Sequence, residues 1–124
     1  RVAKLYKKIF KNYFNFAQIP PKNFHSIFWL NSIILEKLNT RQVQKVGEKL
    51  MKLGIEVRSG FWPLINTKNI KSIYVGKEKI SQQSYNRIIV LPSNYKLKGK
   101  DILFIRNQLI KVIKSVMPNI NFDK

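Results

Sequence analysis

A run of nine residues from Ile27 to Leu35, IFWLNSIIL, strongly limits the folds open to this chain. It is almost wholly apolar and rich in aromatic and β-branched side chains, which is typical of a strand covered on both faces. A strand of this kind needs a sheet beside it and further layers against that sheet. We therefore predict a strand over 27–35, with Trp29 in the core.

Amphipathic patterns predict three helices, over 2–14, 40–53 and 101–116, each with one apolar stripe and a largely polar opposite side. Asn39 or Thr40 is placed to cap the second helix, and Gln42 can reach back to the start of that helix if Asn39 is the cap. The first helix is basic and could lie on a membrane surface, but packing of its stripe against a sheet is far commoner. These helices therefore form the layer that covers the sheet.

The remaining segments predict short strands over 55–58 and 87–91, a long irregular loop over 59–79 and a short helix near 80–85. Together with the helices they give an α+β fold. We expect a two-layer sandwich, in which a small, mainly antiparallel sheet has its helices on one face. At this length, residues 1–124 are expected to form a single small domain.

The charge of the chain limits its possible partners. The sequence has 24 lysines and arginines but only six acidic residues, which gives a formal net charge of +18. Such an excess favours phosphate-rich partners, because cations bind nucleic acid by releasing its counterions. The cations are 19 lysines and five arginines, accompanied by 17 isoleucines and 12 asparagines. That joint enrichment indicates a compositional bias, so a solvated basic surface is an open alternative to a nucleic-acid or membrane surface.

Several kinds of chemistry find no residues to support them. The sequence has no cysteine, which excludes disulfides, thiolate catalysis and cysteine-ligated zinc. His25 is the only histidine and the acidic residues are scattered, so we predict no metal site and no catalytic residue in this chain. No apolar stretch is long enough to span a membrane and no leader opens the chain, so we expect a soluble, cytoplasmic protein.

One segment carries a resemblance to a known family. Residues 54–64, GIEVRSGFWPL, resemble the G-I-x-[TV]-R-P-x-[FY]-x-P-[LM]-H signature of DegT-type, perosamine-synthetase-like nucleotide-sugar aminotransferases. Three other segments resemble that family in the same order along the chain. They are Arg1 with Ala3 and Tyr6 in the entering helix, Phe28-Trp29-Leu30 with 33–35 in a strand, and Leu91-Pro92-Ser93 in a turn.

The resemblance covers about residues 1 to 115 and is to the small C-terminal domain of these fold-type I enzymes. It implies a parent enzyme that depends on pyridoxal phosphate and moves an amino group onto a nucleotide-linked keto-sugar, as part of polysaccharide biosynthesis. In the family, the Schiff-base lysine and its acidic partner lie in a large N-terminal domain. The resemblance therefore implies that this chain binds no cofactor and is not catalytic alone. It also implies that the large domain, and a second copy in a homodimer, are its partners.

The same resemblance makes Arg58, Phe61 and Trp62 the candidate substrate-binding or cleft-lining residues, with the role of completing the active-site cleft. Arginine suits an anionic substrate, and aromatic side chains brace a cleft. The alternatives are an Arg58 paired with a nearby acid and aromatic side chains that only pack the loop. Ser59 and Ile65 depart from the family pattern, which has proline and histidine there, so the parent is divergent or partly degenerate.

A basic nucleic-acid-binding module, or a protein-interaction module, is the rival hypothesis. RNA-binding sheets expose aromatic side chains beside basic residues, whereas Phe28 and Trp29 lie inside an apolar run. The run favours burial of both rings, so we expect nucleic acid to bind only non-specifically.

Overall fold

The computed structural model describes residues 1–67 and 78–122. The described part contains helices α1 (Val2–Phe10), α2 (Thr40–Lys52), α3 (Glu78–Arg87) and α4 (Gly99–Val116), and a 3-10 turn over Leu64–Asn66. It also contains strands β1 (Asn15–Phe16), β2 (Asn31–Ile34), β3 (Arg58–Ser59) and β4 (Ile88–Leu91).

The strands form one antiparallel sheet in the order β1-β2-β4-β3. Ile33 of β2 stands opposite Ile89 of β4, and Asn31 stands opposite Leu91. Because directly opposed side chains share a face, these four residues lie on one side of the sheet, and all four are buried. The prediction of an α+β fold with a small, mainly antiparallel sheet is confirmed.

Helices α1, α2 and α4 cover that face, and α4 contacts both of the others. Their apolar stripes and the inward side chains of β2 and β4 form one core. Its largest fully buried side chains come from all three helices and from β2: Tyr6, Phe10, Ile33, Val46, Leu50, Ile102, Leu109 and Ile113. The predicted arrangement, with helices on one face of the sheet, is therefore confirmed.

Local signals explain how α2 begins and ends. The Asn39 side chain accepts a hydrogen bond from the backbone N–H of Gln42 at 3.0 Å, and the Gln42 side chain accepts one from the Asn39 N–H at 2.9 Å. This capping box satisfies two backbone donors at the helix start. Gly54 follows the helix with a φ of +74°, a left-handed conformation that favours glycine and turns the chain toward buried Ile55.

Tyr6 joins α1 to the segment that follows β4. Its ring is fully buried, and its hydroxyl donates a hydrogen bond to the backbone oxygen of Pro92 at 2.9 Å. Burial raises the pKa of the Tyr6 phenol well above its usual range, because the charged phenolate is poorly solvated in the core. Two of the segments noted in the sequence, the first helix and the Leu91-Pro92-Ser93 turn, are thus tied together.

The prediction of a strand over 27–35 is wrong for its first half. Strand β2 begins only at Asn31, and Ile27 and Trp29 are 93% and 71% exposed instead of buried. Phe28 has a φ of +50°, a left-handed conformation that a bulky residue rarely adopts and that interrupts an extended run. The apolar run therefore divides into a buried strand and an exposed preceding segment.

Two other elements are shorter than predicted. Helix α1 ends at Phe10 and not at residue 14, and Asn15–Phe16 pairs with β2 as an edge strand that the sequence pattern did not reveal. The strand expected over 55–58 is Arg58–Ser59 instead. The register places Glu56 opposite Pro92, which has no N–H to donate, so the ladder cannot continue toward residue 55.

The loop predicted over 59–79 contains the end of β3 and the 3-10 turn, and α3 already begins at Glu78; residues 68–77 lie outside the described residues. Helix α3 is longer than the short helix expected near 80–85. No helix within 1–67 and 78–122 is long and apolar enough to cross a membrane.

Candidate functional site

The candidate residues Arg58, Phe61 and Trp62 lie at or just after the end of β3, which is the edge strand of the sheet that residues 1–67 and 78–122 form. Within those residues β3 pairs with β4 alone, which places Arg58 opposite Val90 and Ser59 opposite Ile89. Because its pairing with β4 holds β3 in position, the segment after β3 leaves the sheet at a defined point. The three residues therefore project from a supported edge.

Gly60 lets this segment pass close to the start of β4. A Cβ added at Gly60 would lie 3.2 Å from the Cβ of Ile88 and 3.4 Å from the Cα of Tyr85. The first distance is shorter than an ordinary van der Waals contact. A glycine at this position thus allows the loop to lie directly against the junction of α3 and β4.

Ring packing holds Trp62 in place. Its ring meets the ring of Tyr85 edge-to-face, with centroids 5.0 Å apart and an interplanar angle of 86°. Pro63, the next residue, is buried, while Trp62 itself is about half exposed. One edge of the indole is therefore fixed against α3, and the rest remains open to a ligand or a partner surface.

A chain of side-chain amides fixes the end of the loop to the same helix. Asn66 donates to the side-chain oxygen of Gln82 at 2.6 Å, and Gln82 donates to that of Asn86 at 3.3 Å. With the Trp62–Tyr85 contact, the loop has two attachments to α3. Two attachments reduce the conformational entropy that the loop would lose on binding a ligand.

Arg58 is exposed and paired with an acid two residues earlier. One Glu56 carboxylate oxygen lies 2.8 Å from its terminal nitrogen and 3.3 Å from Nε, and the two side chains are 78% and 66% exposed. This is the alternative that the sequence left open for Arg58. Because both Arg58 nitrogens bond the same Glu56 oxygen, the other guanidinium N–H groups are left for solvent or a ligand. The ion pair therefore orients the guanidinium without preventing it from binding an anion.

A groove beside Arg58 has a volume of about 470 Å³. It lies between α2 and β3, and its lining includes Gln44, Glu48, Val57, Tyr85 and Asn86. Tyr85 thus lines this groove together with Arg58 and also contacts Trp62. The sequence gives no signal for Tyr85, since a tyrosine in a polar helix is not distinguished before the loop contact is known.

Phe61 lines a different groove, of about 440 Å³. It lines that groove with Ile19, Ile27, Trp29 and Leu30, and it is 75% exposed. The structure therefore brings Arg58 and Trp62 together around Tyr85 and places Phe61 with the exposed segment that precedes β2. The segment was missed because its apolar run was interpreted as buried.

The two grooves at the candidate residues do not fit a pyridoxal-phosphate site. Such a site needs a lysine in a cleft with an acidic group for the pyridine nitrogen. Every lysine side chain that the structure describes is exposed, and the grooves beside Arg58 and Phe61 contain no lysine. We derive no cofactor chemistry from these residues.

Within residues 1–67 and 78–122, no group of three histidine or acidic residues could hold a metal ion, and His25 is exposed. The chemistry available at the candidate site is binding, through a guanidinium that can hold an anion and through aromatic faces that can stack or pack.

Comparison with solved structures identifies the fold. One match is a protein described as a sugar aminotransferase, Spr1654 from Streptococcus pneumoniae, solved in its PMP form. It superposes with a TM-score of 0.81 at 17% sequence identity, and the match covers 94% of this chain and 30% of Spr1654. PseC of Helicobacter pylori, an aminotransferase of pseudoaminic acid biosynthesis, gives 0.76 at 22% identity, covering 91% and 31%. The aminotransferase TlmJ of Streptoalloteichus hindustanus gives 0.77 at 11%, covering 94% and 31%.

No family model matches the sequence, and no curated protein matches it at a significant level. The chain spans about a third of the length of the solved structures that it matches. At these identities the likeness concerns the fold. Nearly the whole chain therefore has a fold that is found as part of larger aminotransferase chains.

Proposed function

We propose that this chain is the C-terminal small domain of a DegT-type aminotransferase, and that it completes a cleft in which a nucleotide-linked keto-sugar binds. The full-length protein that contains the chain is called the parent protein below. The observation that carries the proposal is the agreement of fold over 91–94% of the chain with three aminotransferases. The family-like loop of residues 54–64 supports it, since in the structure this loop projects from a supported sheet edge.

Pyridoxal phosphate, when bound in the parent protein, supplies the electron sink for amino-group transfer. The exposed lysines described here offer no site for it, so we assign the cofactor to the large domain and no catalytic residue to this chain. The contribution of this chain is to bind and orient the substrate. A homodimeric parent and a cytoplasmic location belong to the same proposal.

Within that role, Arg58 binds an anionic group of the substrate, such as a nucleotide phosphate. Its guanidinium is exposed, lines a groove, and is held from one side by Glu56. Trp62 borders the same region and is anchored by Tyr85, so it presents a fixed aromatic surface. Ser59 and Ile65, which depart from the family pattern, indicate a substrate different from the commonest ones.

The test uses the parent protein with glutamate as amino donor and a nucleotide-linked keto-sugar as acceptor, measured by the release of 2-oxoglutarate. We expect Arg58→Gln to raise KM for the sugar roughly 10- to 150-fold, since a hydrogen bond to a charged group contributes about 1.5–3 kcal/mol. Arg41→Gln is the matched control, because Arg41 is an exposed cation in the first turn of α2 and does not line the groove.

Equal KM values for the two variants would contradict the role of Arg58. A parent protein that transfers no amino group to any keto-sugar would contradict the proposed function as a whole.

A nucleic-acid-binding module is the second candidate, and one structural observation favours it. The aromatic side chain expected to be buried, Trp29, is 71% exposed, and the chain carries a net charge of +18. The groove that Trp29 lines contains no charged residue, however, so cation and aromatic side chains do not alternate there as they do on RNA-binding sheets.

A further inference from the structure

Four highly exposed large apolar side chains of the described residues line one groove. Ile27 and Ile19 are 93% and 79% exposed in the segment before β2, and Trp29 is 71% exposed in the same segment. Phe61, 75% exposed, comes from the loop after β3 and lines the same groove. We call this groove, which is also lined by Ala17, Gln18, Pro20, Ser26 and Leu30, the apolar groove.

The apolar groove has the composition of an interface core. None of the residues lining it is charged, although charged residues make up 24% of the chain. Depletion of charge and enrichment in aromatic side chains distinguish the buried centre of an interface from ordinary protein surface. Contiguous apolar exposure of this kind marks a binding surface.

Its rim is cationic on one side. A neighbouring groove shares Pro20, Ser26 and Ile27 with the apolar groove, and its lining also includes Arg1, Lys4 and His25. A partner that covers both grooves therefore needs an apolar centre and an acidic margin.

We propose that the apolar groove docks onto the rest of the parent polypeptide, on a surface with an apolar centre and an acidic margin. This rests on the proposed function, and it adds the residues of the domain contact. The length of the matched aminotransferases and the charge of this chain indicate which partner covers the apolar groove. The matched aminotransferases are about three times as long as this chain, so the fold occurs beside a larger body.

A second copy of this chain is a poorer occupant. Two copies with a net charge of +18 repel each other. The two grooves contain no acidic residue, so a copy would place cations against cations instead of supplying the acidic margin.

Hydroxyl-radical footprinting of the parent protein, read by mass spectrometry, tests the proposal. In the chain as described here Trp29 is more exposed than Phe104 of α4, at 71% against 51%. After correction for intrinsic reactivity, an open groove makes Trp29 the faster of the two to oxidise. Docking reverses the order, and we expect Trp29 and Phe61 to oxidise at least tenfold more slowly than Phe104.

Two variants sharpen the test. Ile27→Asp places a charge in the apolar groove, and Ile80→Asp places the same charge on α3, where Ile80 is 60% exposed outside that groove. We expect Ile27→Asp to restore rapid oxidation of Trp29 and Phe61, and Ile80→Asp to leave their protection unchanged.

Rapid oxidation of Trp29 in the unmodified parent protein overturns the proposal, as does protection that disappears on dilution, which would indicate a second copy. Transamination is measured on the same preparation. An active enzyme with unprotected Trp29 overturns the docking surface alone, whereas a protected Trp29 in an inactive protein supports the surface and contradicts the proposed function.

Discussion

Replacing Tyr6 with phenylalanine removes the hydroxyl that ties α1 to the segment after β4 and leaves the aromatic ring in place. The hydroxyl donates to the Pro92 oxygen at 2.9 Å, and the residue has no exposed surface. A net hydrogen bond is worth about 0.5–1.5 kcal/mol, and a partly buried carbonyl left without a donor adds to the loss. We expect Tyr6→Phe to be about 1–2 kcal/mol less stable than the unmodified chain at pH 8.

Alkaline pH reverses this difference. Burial raises the pKa of Tyr6 in the folded state, whereas the unfolded phenol ionises near its ordinary value of about 10. Above that pH the unfolded chain has lost the proton that the folded chain keeps, so stability falls by up to about 1.4 kcal/mol per pH unit. Tyr6→Phe has no such pH dependence, so the two stability curves cross at about pH 10.7 to 11.5.

Urea denaturation at pH 8, 10 and 11, at constant ionic strength, measures both effects. Lysine titration is common to the two proteins and cancels in their difference. Tyr95→Phe is the control, because Tyr95 is 75% exposed, and we expect that removing its hydroxyl changes the free energy of unfolding little. A stability difference between Tyr6→Phe and the unmodified chain that stays constant up to pH 11 would refute this reasoning. It would mean that the Tyr6 phenol ionises as readily in the folded state as in the unfolded state.

Three further outcomes are expected. Gly60→Ala lowers the free energy of unfolding, measured in urea, by about 1–3 kcal/mol, because the added Cβ meets Ile88. Gly99→Ala is the control and is neutral or stabilising, because its Cβ meets nothing within 4 Å. Equal effects of the two variants would contradict the close approach of Gly60 to Ile88. A double-mutant cycle of Trp62→Ala and Tyr85→Ala yields a coupling of about 0.5–1.5 kcal/mol, and strict additivity would mean that their edge-to-face contact does not anchor the loop. DNA binds without sequence preference and is released by about 200 mM salt; a preference that persists there would favour the nucleic-acid module.

The helical layer was predictable because helix signals are local. The Asn39–Gln42 capping box and the left-handed Gly54 are encoded within a few residues, and the stripe that includes Ile102 and Leu109 repeats at helical spacing. Such signals do not depend on what the rest of the chain does.

The exposed segment before β2 could not be predicted in the same way. An apolar run indicates that side chains will be buried, but not whether the burying surface lies in the same chain. Trp29 was therefore placed in the core, although it is 71% exposed, and the left-handed Phe28 that divides the run has no sequence signature.

The candidate site was predictable as a set of residues and not as a geometry. Arg58, Phe61 and Trp62 lie within one loop, but their separation into two grooves depends on Tyr85, far away in sequence, and on the pairing of β3 with β4. Contacts of this range are fixed by tertiary packing, which residue patterns within a loop do not encode.

Borohydride trapping tests our proposal that this chain is part of an aminotransferase but does not itself hold the pyridoxal phosphate. The chain of residues 1–124 and the parent protein are each incubated with stoichiometric pyridoxal phosphate, reduced, digested and analysed by mass spectrometry. We expect the parent protein to be labelled at one lysine outside residues 1–124, and the isolated chain to show only sparse labelling spread over its exposed lysines. Stoichiometric labelling of a single lysine within residues 1–124 would contradict the claim.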